Sequence, residues 1–460
     1  MKSITATDLV FSKESITILM ILSFAQFVIA LDYSIVYIAL PEIATSLNIS
    51  SNLSQWIFSS YAVMFSGFLL VGGKLCDRYG AGSVFLISTA LFGLASLLGG
   101  LADSDTDLLA ARAIQGIAAA AMQPAIISLI SSRFRDHEKP KALSIWGAVG
   151  ASGLVFGVVL GGVLSMVSWR IIFLINVPLV IICVAYARTL LVKDDVKHHS
   201  EMPIWSSIIG TVCVLALVSL LTLVSEKEMS NDYVLTLASS VFAVFFLLFI
   251  ATETFSKKPL INREIRHIKS LRIGCLGSIL YMASVGTEFF VLTLLYQDYY
   301  NQSALVTGFI FLPMSISIIL GNVLAGKLIG KYQDTTVLSL GFFLGGVGIY
   351  LIALSIGQVH SIAVYLGLIV SGLGHGIIYT SKFSVGIKDV EPENEGVASS
   401  LMVTAQYASG AIAVALVMIV LQYFEGEQAY NYAFGLLILF CVLGCALKVL
   451  DSKDGRNDRS

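Results

Sequence analysis

Leu31-Asp32-Tyr33-Ser34-Ile35-Val36-Tyr37-Ile38-Ala39-Leu40-Pro41 closes an apolar run that begins near Ile16. About 20 mostly apolar residues cross a bilayer as a helix, and this run is long enough. Asp32 therefore lies inside a membrane span. An ionised carboxylate at that depth costs at least about 2.5 kcal/mol on insertion scales, so such a residue faces a protein interior or a watery cavity and marks a functional site by default. The run also exceeds the roughly 7–15 residues of a signal-peptide core. It is expected to be an uncleaved first span.

The rest of the chain repeats the pattern. Of 460 residues, 57% are hydrophobic and 13% charged, against roughly 25% charged in soluble domains; the mean hydropathy is +0.86. An all-α polytopic membrane protein follows. A 20-residue window predicts fourteen spans: 16–40, 54–73, 83–102, 108–131, 142–166, 171–192, 204–224, 233–252, 272–296, 304–326, 336–356, 361–383, 397–421 and 430–449. The six cysteines show no C-x-x-C spacing and read as packing residues. H-E-x-x-H, G-x-S-x-G and P-loop patterns are missing, which argues against an enzyme. The net charge of −2 gives no reason to expect a nucleic-acid partner.

Basic loops face the cytoplasm. An inside N-terminus puts 25 of the 28 Lys and Arg residues in inner segments, including Arg133, Arg135, Lys139 and Lys141. Outer loops then hold Arg170 and Lys227 beside Asp103, Asp105, Asp107, Glu425 and Glu427. Arg112 remains, within the fourth span. Both termini are expected inside.

The two halves of the chain echo each other. Gly73-Lys74-Leu75 with Arg78-Tyr79 recurs 253 residues later as Gly326-Lys327-Leu328 with Lys331-Tyr332, and Gly116 and Gly372 are 256 apart. Parallel repeats of this kind are one plan of secondary transporters. The expected division is 1–200, 201–256 and 257–460, the middle piece holding two inserted spans. An offset of 256 carries Asp32 onto Glu288, a second carboxylate inside an apolar span. Its bland alternative is a snorkelling or solvated acid without a role.

Arg112 falls near the depth of Asp32. A neighbouring guanidinium favours an ionised carboxylate while loss of water favours the protonated one, so the pair reads either as a proton-exchanging site or as a permanent structural ion pair. His375, in the twelfth span, is a minor titratable candidate whose ordinary reading is packing. Gly153, Gly157 and Gly161 line one face of the fifth span, a stripe that lets another backbone approach closely. Tyr33, Tyr37, Trp56, Tyr61, Met122 and Phe289 would suit an apolar pocket near the acids, or ordinary helix packing.

These stretches resemble the 14-span drug:proton antiporter family of the major facilitator superfamily. Residues Leu31 to Pro41 are similar to the family's L-D-x-T-V-V-N-V-A-L-P, with Ser34 and Tyr37 substituted. Gly73-Lys74-Leu75-Cys76-Asp77-Arg78-Tyr79-Gly80 matches G-x-L-a-D-R-x-G, and Arg112-Ala113-Ile114-Gln115-Gly116 matches R-x-x-Q-G. Gly157-Val158-Val159-Leu160-Gly161-Gly162 resembles the antiporter motif G-P-x-x-G-G with Val158 in place of proline, and Phe173 to Pro178 also looks like the family.

The resemblance implies two six-helix bundles plus two extra spans, Asp32 and Arg112 lining a central cavity and coupling protons, and Gly73, Asp77, Arg78 and Gly80 as a conformational latch. It implies export of lipophilic cations across a bacterial inner membrane, driven by the proton gradient without a cofactor, by a chain acting as a monomer. A dedicated exporter of one metabolite or antibiotic, and a proton-coupled importer, are the alternatives.

Overall fold

The computed structural model describes residues 12–454 apart from 50, 135–137, 166, 192–203, 226–231, 257–258, 260, 262–263, 303, 358–360 and 392–393. The basic residues Arg135, Lys257, Lys258 and Arg263 lie outside the described residues.

The first half comprises α1 (Lys13–Ser46), α2 (Ser51–Tyr79), α3 (Ala81–Gly100), α4 (Asp105–Arg133), α5 (Lys139–Ser165), α6 (Arg170–Leu174) and α7 (Asn176–Leu190). Helices α8 (Ile204–Ser225) and α9 (Asp232–Phe255) follow. The second half holds α10 (Lys269–Tyr281), α11 (Thr287–Leu294), α12 (Ala304–Leu328), α13 (Asp334–Ala353), α14 (Ile362–Ile387), α15 (Glu395–Tyr423), α16 (Gly426–Cys445) and α17 (Leu447–Asp454). Helix caps follow the local chemistry: Ser104 accepts from the Asp107 amide at the start of α4, and Ser361 from Val364 at the start of α14.

Twelve helical stretches among the described residues are long and apolar enough to cross a membrane. Helix α5 is not among them, and the described apolar stretch of α8 is the shorter Trp205–Leu217.

One buried apolar core, with Leu22, Phe85, Phe92 and Ile126 in the first half, continues across to Phe383, Val397 and Met402 of the second; a separate core, with Val285, Phe342, Leu368 and Phe434, lies within the second half. Helix α1 lies on α5, α2 on α4, α12 and α13 on α14, and α10 on α14 and α15. The halves meet along α5–α12 and α2–α15. Helix α8 rests against both α2 and α15, whereas the apolar window of α9 buries none of its residues against the protein. Its packing partner is α8. Its far end is tied down by Arg266, which donates to Glu253 Oε2 at 2.5 Å and to the Glu253 carbonyl at 3.0 Å.

The repeat has a packing cause. A Cβ on Gly116 of α4 would lie 2.5 Å from the Tyr61 carbonyl of α2, and one on Gly372 of α14 would overlap the Met314 carbonyl of α12. Tyr61 and Met314 are themselves 253 residues apart. Only glycine lets each helix pair approach so closely. At the end of the bundle carrying Arg133, Lys139, Lys269 and Lys388 (the basic end), a Cβ on Gly73 would overlap Ser400, and one on Gly326 would overlap Ser144. Gly73 and Gly326 are thus where the halves touch, whereas Gly116 and Gly372 seat a helix pair inside each half.

Candidate functional site

Asp32 stands on an unbroken stretch of α1 and is fully buried, as is Arg112. Arg112 Nη1 donates to Asp32 Oδ2 at 2.6 Å and to Gln115 Oε1 at 2.9 Å, and Nε donates to the Ile57 carbonyl at 3.1 Å. Three residues apart on α4, Arg112 and Gln115 share a face. Gln115 Nε2 and Asn176 Nδ2 both donate to Asp32 Oδ1, at 3.1 and 2.9 Å, and Gln115 also reaches Ser96 Oγ at 2.7 Å. The guanidinium carbon lies 4.5 Å from the centre of the Tyr61 ring.

Helix α4 and the start of α7 therefore supply every donor to this carboxylate among the described residues, while α2 and α3 hold Arg112 and Gln115 in place. Charge pairing with added neutral donors is what makes a buried ion pair tolerable, because each ion loses several kcal/mol of hydration. Asp32 and Arg112 face Ser96 and Asn176 inside the first half and are sealed from solvent. The pairing of Asp32 with Arg112 is as the sequence suggests. Gln115 and Asn176, both within family-like stretches, were missed as members of the site, since an amide in an apolar helix carries no cost large enough to single it out.

Glu288 is equally buried and differently held. A π-helical segment, Met282–Gly286, precedes α11, and another, Leu295–Tyr299, follows it. Such segments recur at functional sites because they offset side chains from the regular helical face. Ser371 Oγ donates to Glu288 Oε2, and Oε1 has no hydrogen-bond partner among the described residues. No cation among them pairs with it: Leu368 stands 256 residues after Arg112. The two acids share burial and repeat position, and each faces the interior of its own half.

The second half also buries a charge that the sequence reading places at the inner end of its span. Helix α14 continues to Ile387, so Lys382 lies inside it and is fully buried. Its ammonium donates to Gln406 Oε1 and stands 4.4, 4.9 and 4.8 Å from the ring centres of Tyr281, Tyr379 and Phe383. His375 has a polar partner, the Tyr281 hydroxyl at 2.8 Å from Nδ1.

The remaining candidates divide. Tyr33 is 36% exposed, and Trp56 and Phe289 are half-buried. Tyr61 and Met122 are buried in the first core, Tyr61 beneath Arg112, so neither faces an open pocket. The side chain of Tyr37, and those around Val158 and Gly162, lie outside the described residues. Gly153 and Gly157 press on Phe27, Ala30, Leu31 and Ser34 of α1, which explains the stripe as packing; Gly161 is also buried.

At the basic end, Asp77 Oδ1 accepts the Gly396 amide of α15 at 3.1 Å, a hydrogen bond between halves. Arg78 lies over its neighbour Tyr79 instead, 5.3 Å from the ring centre. Gly80 begins α3 at φ +89°, a left-handed backbone that favours glycine.

The sequence profile described as Major Facilitator Superfamily matches residues 22–415 and, again, 275–457. The puromycin resistance protein pur8 of Streptomyces alboniger is 28% identical over 86% of this chain and 80% of its own length. The cephamycin export protein CmcT of Amycolatopsis lactamdurans is 30% identical over 88% and 84%. Among solved structures, the human organic anion transporter MFSD10 superposes with a TM-score of 0.68 at 13% identity, covering 94% of this chain and all of that one. That likeness shows the fold.

Proposed function

Since the chain belongs to the major facilitator superfamily, and relatives include a cephamycin export protein and a puromycin resistance protein, we propose that it exports lipophilic drug-like molecules in exchange for protons. The observation that carries the coupling is the contrast between two buried acids, Asp32 held by Arg112 and Glu288 held by a single hydroxyl. In the proposed cycle, a cationic group is attracted to the unneutralised acid and protons arriving from the other side displace it. Each proton moving inward supplies about 2.3 kcal/mol per 100 mV and about 1.36 kcal/mol per pH unit.

The same reading takes α1–α7 and α10–α17 as the moving halves, 1–200 and 257–460, with 201–256 as an insertion. It counts α5 and α8 as spans, fourteen in all, with the basic end and both termini in the cytoplasm of a bacterial cell. Contacts at Gly73, Asp77 and Gly326 support a conformation closed at that end. Asp77 then serves as the latch.

The test is proton release from energised inverted vesicles on addition of a panel of cationic dyes and antibiotics, with Asp32→Asn and Glu288→Gln beside the parent. Undiminished exchange in both variants rejects the coupling assignment; a parent that moves no protons with any compound rejects the multidrug reading. Relatives named for single antibiotics favour, as a second reading, a dedicated exporter, for which one compound alone on the panel would respond.

A further inference from the structure

Lys382 is a buried cation for which the reading above has no use. Among the described residues its one hydrogen-bond partner is the neutral Gln406, and no carboxylate pairs with it. An ammonium inside a membrane protein ordinarily pairs with an acid or a backbone carbonyl, or marks a substrate or ion path. Three aromatic faces offset part of its lost hydration but supply no counter-charge.

Its surroundings reach the seam between the halves. Tyr379 stacks on Trp146 of α5 at 5.5 Å between ring centres, and Phe383 meets the same indole edge-on at 5.6 Å. Tyr407, one residue beyond Gln406, meets Phe65 of α2 edge-on at 4.9 Å. Any motion separating α5 from α14 and α2 from α15 parts these rings. The amine behind them has no carboxylate paired with it among the described residues.

We propose that Lys382, with Gln406 and the Tyr281 face, anchors a carboxylate or other anionic group of the transported molecule. The assignment rests on the exporter reading for its cargo and adds a charge class to it. Ser371, which holds Glu288, stands eleven residues before Lys382 on α14, about 16 Å at 1.5 Å per residue. One half thus offers an acid on α11, held by Ser371 of α14, and a base further along α14, each without an ionic partner among the described residues. A zwitterionic amphiphile matches both; a purely cationic one leaves Lys382 uncompensated.

The test uses rhodamine B, which carries a free carboxylate on a cationic ring system, and its methyl ester, which lacks the negative charge. Binding to detergent-purified full-length protein is read by dye anisotropy, and export is read in inverted vesicles. The parent is expected to bind the free acid at least tenfold more tightly than the ester. Lys382→Gln removes that preference while ester binding stays within twofold, and Lys382→Arg keeps it. Equal binding of both dyes by the parent overturns the assignment, and that comparison needs no variant to fold. So does a Lys382→Arg protein that binds the ester normally but has lost the preference. Acid-selective binding without dye export rejects the exporter reading alone, whereas export without acid selectivity rejects the anion site alone.

Discussion

Asp32 and Glu288 occupy matching places in the two halves and are treated in opposite ways. Asp32 receives a guanidinium and two amides from two other helices, α4 and α7; Glu288 receives one hydroxyl and sits between two π-helical segments. A buried charge can be stabilised by building around it or left short of partners for something else to satisfy. The first course makes a structural anchor whose removal damages the fold. The second leaves a group free to respond to a proton or a ligand. Depth and symmetry alone do not distinguish them.

The sharpest break of this comparison is Arg112→Leu, which leaves Asp32 buried beside neutral donors only. Loss of one partner from a buried pair costs about 3–5 kcal/mol, and thermal unfolding in detergent should register it. The double variant Asp32→Asn/Arg112→Leu should recover a large part. A single variant as stable as the parent would mean that the network is not what holds the first half.

Next in size are the matched glycines. Gly116→Ala and Gly372→Ala both force a helix off a carbonyl it touches, each at about 1–3 kcal/mol by the usual cost of overpacking. Similar losses in the same unfolding assay would support equivalent helix contacts in the two halves. A loss confined to one would break the symmetry.

Glu288→Gln should reverse the pattern seen at Arg112. Its stability is expected within about 1 kcal/mol of the parent, since one neutral hydrogen bond is at stake. Drug-driven proton release is expected to fall at least tenfold, about 1.4 kcal/mol in coupling free energy. Ser371→Ala should be the mildest, at about 1 kcal/mol or less of stability, with its effect visible as a change in the pH dependence of exchange.

Much of this arrangement was legible in the chain. Asp32, Glu288 and Arg112 stand out because a charge in an apolar run is costly wherever the run folds. The repeat was legible because glycine has no substitute where helices touch, as at Gly116 and Gly372. The burial of two pocket candidates was not. Tyr61 and Met122 have the composition of a binding surface, yet Tyr61 supports Arg112 and Met122 fills a core. Lys382 was hidden because a lysine near a span end normally extends its long stem to water; here α14 continues past it.

The sequence by itself determined the helical membrane class, the two-half plan and the intramembrane acids, all of which follow from the price of charge and exposed backbone in hydrocarbon. Only the tertiary structure decided which charges have partners. Hydrogen bonding acts over about 3 Å, and the donors to Asp32 lie 80 or more residues away in the chain. Spacing along one helix does not report what neighbouring helices bring within that distance. Asp32 is satisfied and Lys382 is not for that reason.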